Sequence, residues 1–437
     1  MGGKQMNIVQ MPRRFVSSHW GGTETVILET CKRLLKMGHH TEIICPNALA
    51  HADSAIRANA TTAGQDKAHQ NKEVIGGVNI SRVPYFYPYF GLSHEAKEQL
   101  DRKGGNLFSF ALMRALKKYP ALDLIHLHTA KRLGGIGRTM AIKRKIPYVV
   151  SLHGGVFDVP DEEAETWTAP TEGTFEWGKI LGWWVGSRRV LDDAAAILCV
   201  GEEEQRQTQQ RFPNKKVLHL ANGVDSEGFA TGDRDGFRNT YHIPIDAYVI
   251  VTVGRIDPQK NQIFTINLLP ELIKLNPNTH VVIIGPVTNE NYNRKLVRKI
   301  NEKGLESHVT VIDGLAAGSQ ELVDAFHGAD IFLLPSIHEP FGIVILEAWA
   351  AGLPVVASRV GGIPSFVNHG EDGLLFDPND EAGFIEAFKT ILESPEKARD
   401  LGTAGKRKAR GQYSWDRITQ ILVDIYEEAI RENPFRK

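Results

Sequence analysis

The chain has 437 residues, 42% hydrophobic and 24% charged, with a formal net charge of −1 at pH 7. That length exceeds one ordinary domain, the composition is that of a globular protein, and a near-zero charge gives no field to gather nucleic acid. Cys31, Cys45 and Cys199 are far apart and form no CxxC pair, which argues against a disulfide framework or a cysteine zinc site and for a reducing cytoplasm. No window approaches the ~20 apolar residues that cross a bilayer. The start, Met1-Gly2-Gly3-Lys4-Gln5, has no signal-peptide apolar region. The expectation is a cytoplasmic protein, with a place at the inner face of a membrane left open.

In chain order, short apolar runs predict buried parallel strands at Asn7–Met11, Thr41–Pro46, Leu122–His128, Pro147–His153, Ala195–Gly201 and Lys216–Asn222. Amphipathic helices such as Thr23–Met37 and Leu107–Lys118 lie between them. This alternation predicts a doubly wound parallel sheet. Residues 48–73 are polar and read as a long surface insertion. The Gly- and Asp-rich stretch at 226–246 reads as a linker. A second series follows at Tyr248–Gly254, Thr279–Gly285, Val309–Gly314, Asp330–Ser336, Pro354–Ser358 and Gly373–Asp377, closed by helices at Glu381–Ser394, Pro395–Gly411 and Ser414–Arg431. The expected organisation is an α/β chain of two facing Rossmann-like domains with a deep cleft between them. The acceptor side is expected at 1–225 and the donor side at 247–412. The last helix, 413–437, is expected to pack back on the first domain.

Ligands of open α/β sheets bind beyond the carboxyl ends of the strands. There the stretch from His338 to Ala348 follows a strand and opens a helix, with Pro340 and Gly342 at its start. Its first amides suit an anion, and Glu339 and Glu347 can accept hydrogen bonds at two points of one ligand. Two glutamates alone are as well explained as surface helix residues. Arg255 and Lys260, after another strand, suit a diphosphate, although an isolated basic turn is usually just solvated. Gly21-Gly22, before the first helix, lets backbone approach a ligand but by itself is an ordinary turn.

The pair Glu339 and Glu347, separated by seven residues, resembles the signature of glycosyltransferase family four (glycosyl transferase group 1), which has the GT-B fold. The likeness runs through Gly352-Leu353-Pro354-Val355, Gly361-Gly362-Ile363-Pro364, Gly370-Glu371-Asp372-Gly373 and, upstream, Asn222-Gly223-Val224-Asp225. The resemblance implies a retaining enzyme that moves a sugar from a UDP- or GDP-linked donor to a hydroxyl acceptor: a saccharide, a lipid-linked saccharide or a small molecule. It implies Glu339 at the donor sugar, Glu347 at the ribose, and Arg255 and Lys260 at the diphosphate. Gly21, Gly22, Asn222, Gly254, Phe341, Gly342, Ile343 and Val344 complete the implied donor site. His153 is implied near the reacting sugar, with His128 and Gly154 on the acceptor side. A front-face path is implied, in which the leaving phosphate helps deprotonate the acceptor. No obligatory cofactor and no metal are expected, and no nucleic acid partner.

Several features are open or depart from the family. His126, His128 and His153 could imitate a metal cluster, but no carboxylate ligand pattern accompanies them. Asp233-Arg234-Asp235 spells a metal-binding DxD inside the expected linker and reads as chance. Asn261 stands where the family often has Gly, Trp349 where it usually has Met, and Ser365 where it often has Glu. Arg255–Asn261 also looks somewhat like sucrose-phosphate synthases, which assigns no substrate. Trp167, Trp177, Trp183 and Trp184, with the aromatic run Tyr85–Phe90, read first as packing, then as an acceptor platform or a membrane-surface contact. The rivals to a transferase are a nucleotide-sugar epimerase or hydrolase and a non-catalytic nucleotide-sugar-binding protein.

Overall fold

The structure is a computed structural model that describes residues 5–16, 21–49, 72–154 and 169–436. The chain forms two compact units, Met1–Leu220 with Thr419–Lys437, and Ala221–Ile418.

The first unit carries β1 (Asn7–Met11), β2 (His40–Pro46), β3 (Lys72–Ile75), β4 (Val78–Val83), β5 (Tyr89–Phe90), β6 (Leu124–Leu127), β7 (Tyr148–Ser151), β8 (Phe175–Glu176), β9 (Ala196–Cys199) and β10 (Val217–His219). Its main sheet runs β10-β9-β7-β6-β1-β2-β4-β3. All neighbours are parallel except β3 and β4. Parallel strands need helical crossovers, which cover both faces. That is why β6, β7 and β9 are buried at every position. The hairpin β3–β4 turns on Gly76 and Gly77 at φ of 56° and 81°, the conformation a two-residue hairpin turn requires. It departs from the sequence reading, which ran the polar insertion through residue 73. Residues 50–71 of that insertion lie outside the described residues.

The second unit carries β11 (Tyr248–Val253), β12 (Thr279–Ile284), β13 (Val309–Ile312), β14 (Ile331–Leu334), β15 (Val355–Ser358) and β16 (Leu374–Phe376). They form a wholly parallel sheet in the order β13-β12-β11-β14-β15-β16. Counted along the chain this is 3-2-1-4-5-6, the Rossmann order. Trp349 sits fully buried in helix Ile343–Ala351 and donates from Nε1 to Asp372 O at 2.8 Å. The Met-to-Trp departure is thus absorbed by packing. The Ser365 hydroxyl bonds its own turn, donating to Gly362 O at 2.6 Å.

The last helix and the 226–246 stretch also tie into these units. Helix Trp415–Arg431 begins in the second unit and from Thr419 belongs to the first. There Leu422, Val423, Ile425 and Tyr426 pack with Ile8, Leu124, Val149 and Leu198. Each such burial contributes roughly 1.5–3 kcal/mol. The stretch read as a linker is instead folded: helix Arg234–Thr240 buries Phe237 and Arg238. Asp233 caps that helix by accepting from Gly236 N, and Arg234 pairs with Asp330, so the DxD spelling serves local structure. Arg238, with no exposed side-chain surface, donates to Gly328 O, Ile245 O and Ala247 O at 2.7–2.9 Å and pairs with Asp330 at 3.0 Å. Composition hides this, because a buried guanidinium satisfied by carbonyls looks like any polar residue. Arg238→Ala should cost about 3 kcal/mol or more, since it leaves those partners unmatched in the interior. A thermal midpoint equal to wild type would return the segment to a linker.

Candidate functional site

In the second sheet the strand order reverses between β11 and β14, so the loops after them leave to opposite sides and a crevice opens at their carboxyl ends. Arg255 and Lys260 follow β11, and Glu339 follows β14. The structure brings Lys260 and Glu339 together: Nζ is bonded to the Glu339 carboxylate, both side chains being largely buried. Ser336 Oγ donates to the same carboxylate at 3.3 Å. Asp257 shapes the cation loop, accepting from Lys260 N at 3.1 Å and Thr288 Oγ1 at 3.2 Å. Gln259 laces the two loops, donating from Nε2 to His338 O and accepting from Ile337 N, each at 2.9 Å. Arg255 is half exposed and rests on Asp257 at 3.3 Å and Gln259 at 2.9 Å.

The helix after β14 starts later than Pro340 suggested. Gly342 is its cap at φ 93°, and Ile343 is its first residue. The first amides of that turn have no carbonyl within the helix to bind. Behind the loop, Gly361 sits at φ 53°, where a Cβ would lie 2.0 Å from Glu339 O, and Gly362 N donates to that oxygen at 2.9 Å. The Gly-Gly pair therefore straps the backbone of Glu339. The Phe341 ring is buried and stacked on Phe366 at 4.6 Å, so what this residue can offer a ligand is backbone. Glu347 is half-buried one turn into the helix. Among the described residues its carboxylate has neither ion pair nor hydrogen bond, and burial pushes its pKa up to about 7.

The first sheet reverses in the same way between β1 and β6. Gln10 on β1 lies opposite His126 on β6. His128 follows β6, and His153 follows β7 at φ 58°, with Gly154 at φ 80°. His128 Nδ1 meets His153 Nε2 at 2.7 Å, and His128 Nε2 meets Gln10 Oε1 at 2.8 Å. His126 bonds Tyr426 and Ser151. These ring nitrogens are engaged with one another and with neutral groups, unlike a metal cluster. Sequence spacing paired His126 with His128 but gave no sign of Gln10 or Tyr426.

Gly21 caps helix Gly22–Lys36, and its N–H donates to Glu24 Oε2 at 3.1 Å. That helix start already holds a carboxylate, which a phosphate would have to displace. Asn222 is buried and makes no hydrogen bond to the other members of the set among the described residues, and Gly254 closes β11 beside Lys260. Trp177 is half-buried and stacks on Phe86 at 6.0 Å, as a packing role requires. Trp184, half exposed, stacks on Phe108 at 6.4 Å, while Trp183 is 84% exposed. Trp167 lies outside the described residues. Among the described residues, no helix is long and apolar enough to cross a membrane.

Two Rossmann-like sheets, each with a cluster of polar side chains at the order reversal, are the hallmark of the GT-B fold. Solved structures agree. Sucrose-phosphate synthase from Thermosynechococcus elongatus superposes with a TM-score of 0.71 at 18% identity, covering 98% of this chain and 100% of that one. Anabaena HepE in complex with UDP and glucose gives 0.69 at 17%, covering 97% and 100%. The model described as Glycosyltransferase Family 4 matches residues 20–227, and Glycosyl transferases group 1 matches residues 233–408. The D-inositol 3-phosphate glycosyltransferase of Corynebacterium glutamicum is 28% identical over 422 residues, covering 94% of this chain and 92% of that protein. That of Stackebrandtia nassauensis is 29% identical over 424 residues, covering 94% and 87%. The chain belongs to the group 1 glycosyltransferases of family four, and it is an enzyme of that kind.

The bare carboxylate of Glu347 carries a prediction. Between pH 4.5 and 7 the folded chain holds a proton there that the unfolded chain releases, so folding stability falls as pH rises through that window. Glu347→Gln removes this loss. Its advantage in thermal midpoint over wild type should therefore be larger at pH 8 than at pH 5, by about 2 °C or more. A difference independent of pH would show that the carboxyl titrates as an ordinary surface glutamate.

Proposed function

We propose that this enzyme transfers a hexose, with retention, from a nucleoside diphosphate sugar to a hydroxyl of a small polyol phosphate. The observation that carries the donor side is the meeting of Lys260 and Glu339 across the order reversal of the second sheet, with the unpartnered Glu347 on the helix beyond. A diphosphate arriving there gives Lys260 a new anion and frees the Glu339 carboxylate to accept from sugar hydroxyls, so charge balance survives the exchange. Glu347 accepts from the ribose hydroxyls. Arg255, half exposed and loosely held, adds a planar fork to the same phosphates. UDP is the first nucleotide to try, because HepE is solved in complex with UDP. An inositol phosphate is the first acceptor, because the relatives are named for one.

In the reaction the bond from the anomeric carbon to the leaving phosphate oxygen breaks and the acceptor oxygen bonds the same face. Its proton passes to the departing phosphate. Lys260 and Arg255 act where negative charge grows, which is where fixed cations lower a barrier most. Lys260→Ala should lower kcat by roughly 100-fold or more with a smaller change in donor KM. Proton NMR of the product should show the donor's anomeric configuration. An inverted product would overturn the retaining path, and an unchanged kcat would remove Lys260 from the chemistry.

A further inference from the structure

Five hydrogen bonds in the first unit join six side chains into one line. Ser151 Oγ meets His126 Nε2 at 2.8 Å, and His126 Nδ1 meets Tyr426 OH at 2.6 Å. Gln10 Nε2 donates to Tyr426 OH at 3.2 Å. His128 Nε2 meets Gln10 Oε1 at 2.8 Å, and His128 Nδ1 meets His153 Nε2 at 2.7 Å. The members come from β1, β6, β7, the loops after β6 and β7, and the last helix, 416 residues from Gln10 in sequence. Gln10, His126 and Tyr426 are buried. His153 ends the line half-buried, and its Nδ1 has no partner among the described residues.

A hydroxyl or a neutral imidazole can run such a line in either sense, because its proton can move. An amide cannot: its donor and acceptor are different atoms. Gln10 therefore sets the direction for both branches. A separation of 3.2 Å is ordinary for N–H···O but long for O–H···O, which centres near about 2.7–2.8 Å. The amide nitrogen accordingly faces Tyr426 and the carbonyl oxygen faces His128. A carbonyl brings no proton, so His128 supplies one from Nε2. Burial keeps these rings neutral, holding His126 down at about 3 and His153 at about 4, and places His128 well below its usual range. A neutral ring has one proton. His128 Nδ1 is thus bare and accepts from His153 Nε2–H, which leaves His153 Nδ1 bare in turn.

We propose that Gln10, acting through His128, fixes His153 as its Nε2–H tautomer and so presents Nδ1 as an oriented hydrogen-bond acceptor for a substrate hydroxyl. Gln10 and His128 are positioning residues, and Tyr426 holds the amide in place. The left-handed backbone at His153, uncommon for a side-chain-bearing residue, is the strained geometry that a held ring at a site can require. Only the identity of the hydroxyl, on a sugar, rests on the transferase reading.

The test is long-range proton–nitrogen NMR of the full ligand-free chain labelled with 15N-histidine at pH 7.5. The His153 signals are assigned by their loss in His153→Asn. The expected spectrum has a protonated Nε2 and a bare Nδ1 for His153. A protonated Nδ1, or an imidazolium, in the wild-type chain would overturn the proposal without any variant. Gln10→Leu should mix the two His153 tautomers, and a pure Nε2–H pattern there would also overturn it. Ser151→Ala, at the other end of the line, should leave His153 unchanged. With a donor and acceptor in hand, Gln10→Leu should lower kcat/KM about tenfold, and by much less in a His153→Ala background. Full additivity would contradict a role through His153. The tautomer is read without substrate, so an enzyme that transferred no sugar would fail the transferase reading and leave this result standing.

Discussion

Everything at the proposed donor site depends on a constraint of parallel sheets: where strand order reverses, the chain must leave neighbouring strand ends in opposite directions. In the second unit this happens between β11 and β14. The gap it opens is a property of connectivity, so no side chain has to hold it apart. Residues 79 apart in sequence, Lys260 and Glu339, then face each other from fixed strand ends. The loops carrying them are laced by Gln259 and backed by the Gly361-Gly362 strap, so a ligand meets groups that are already oriented.

Electrostatics then divides the labour between two glutamates. Glu339 is held by Lys260 and Ser336, so its charge is matched in the free enzyme. Glu347 is matched by nothing among the described residues, and its burial makes the bare anion costly. In the proposed donor complex that cost would be repaid by ribose hydroxyls donating to it. The first unit takes the opposite course. Its reversal is filled by neutral groups, an amide, a phenol, an alcohol and three imidazoles, whose value is direction instead of charge.

The sheets, and the strand-end loops that carry the proposed donor site, were legible in the sequence for a physical reason. Parallel strands are buried on both faces, so β11 and β12 appear as unbroken apolar runs, and the turns that follow them are rich in Gly and charge. Strand ends were read too long wherever polar site residues such as His128 and His153 continue the run beyond the ladder. The hairpin β3–β4 escaped because Val74 and Ile75 are short apolar punctuation next to a polar stretch. The helix at Arg234 escaped because its stability comes from Arg238 binding carbonyls, a tertiary fact. That Phe341 turns its ring to Phe366 and leaves only backbone for a ligand is something only packing reveals. Likewise Gly21 looks free for a phosphate until Glu24 is seen to reach back to its N–H.

Calorimetric titration of UDP and GDP into the wild-type chain and into Glu347→Ala bears most directly on the central claim, that the order reversal of the second unit holds a nucleoside diphosphate. The account predicts saturable binding of one of them to wild type and a loss of at least about tenfold, ~1.4 kcal/mol, in the variant. Equal affinity in both proteins, or no binding of either nucleotide to wild type at millimolar concentration, would contradict it.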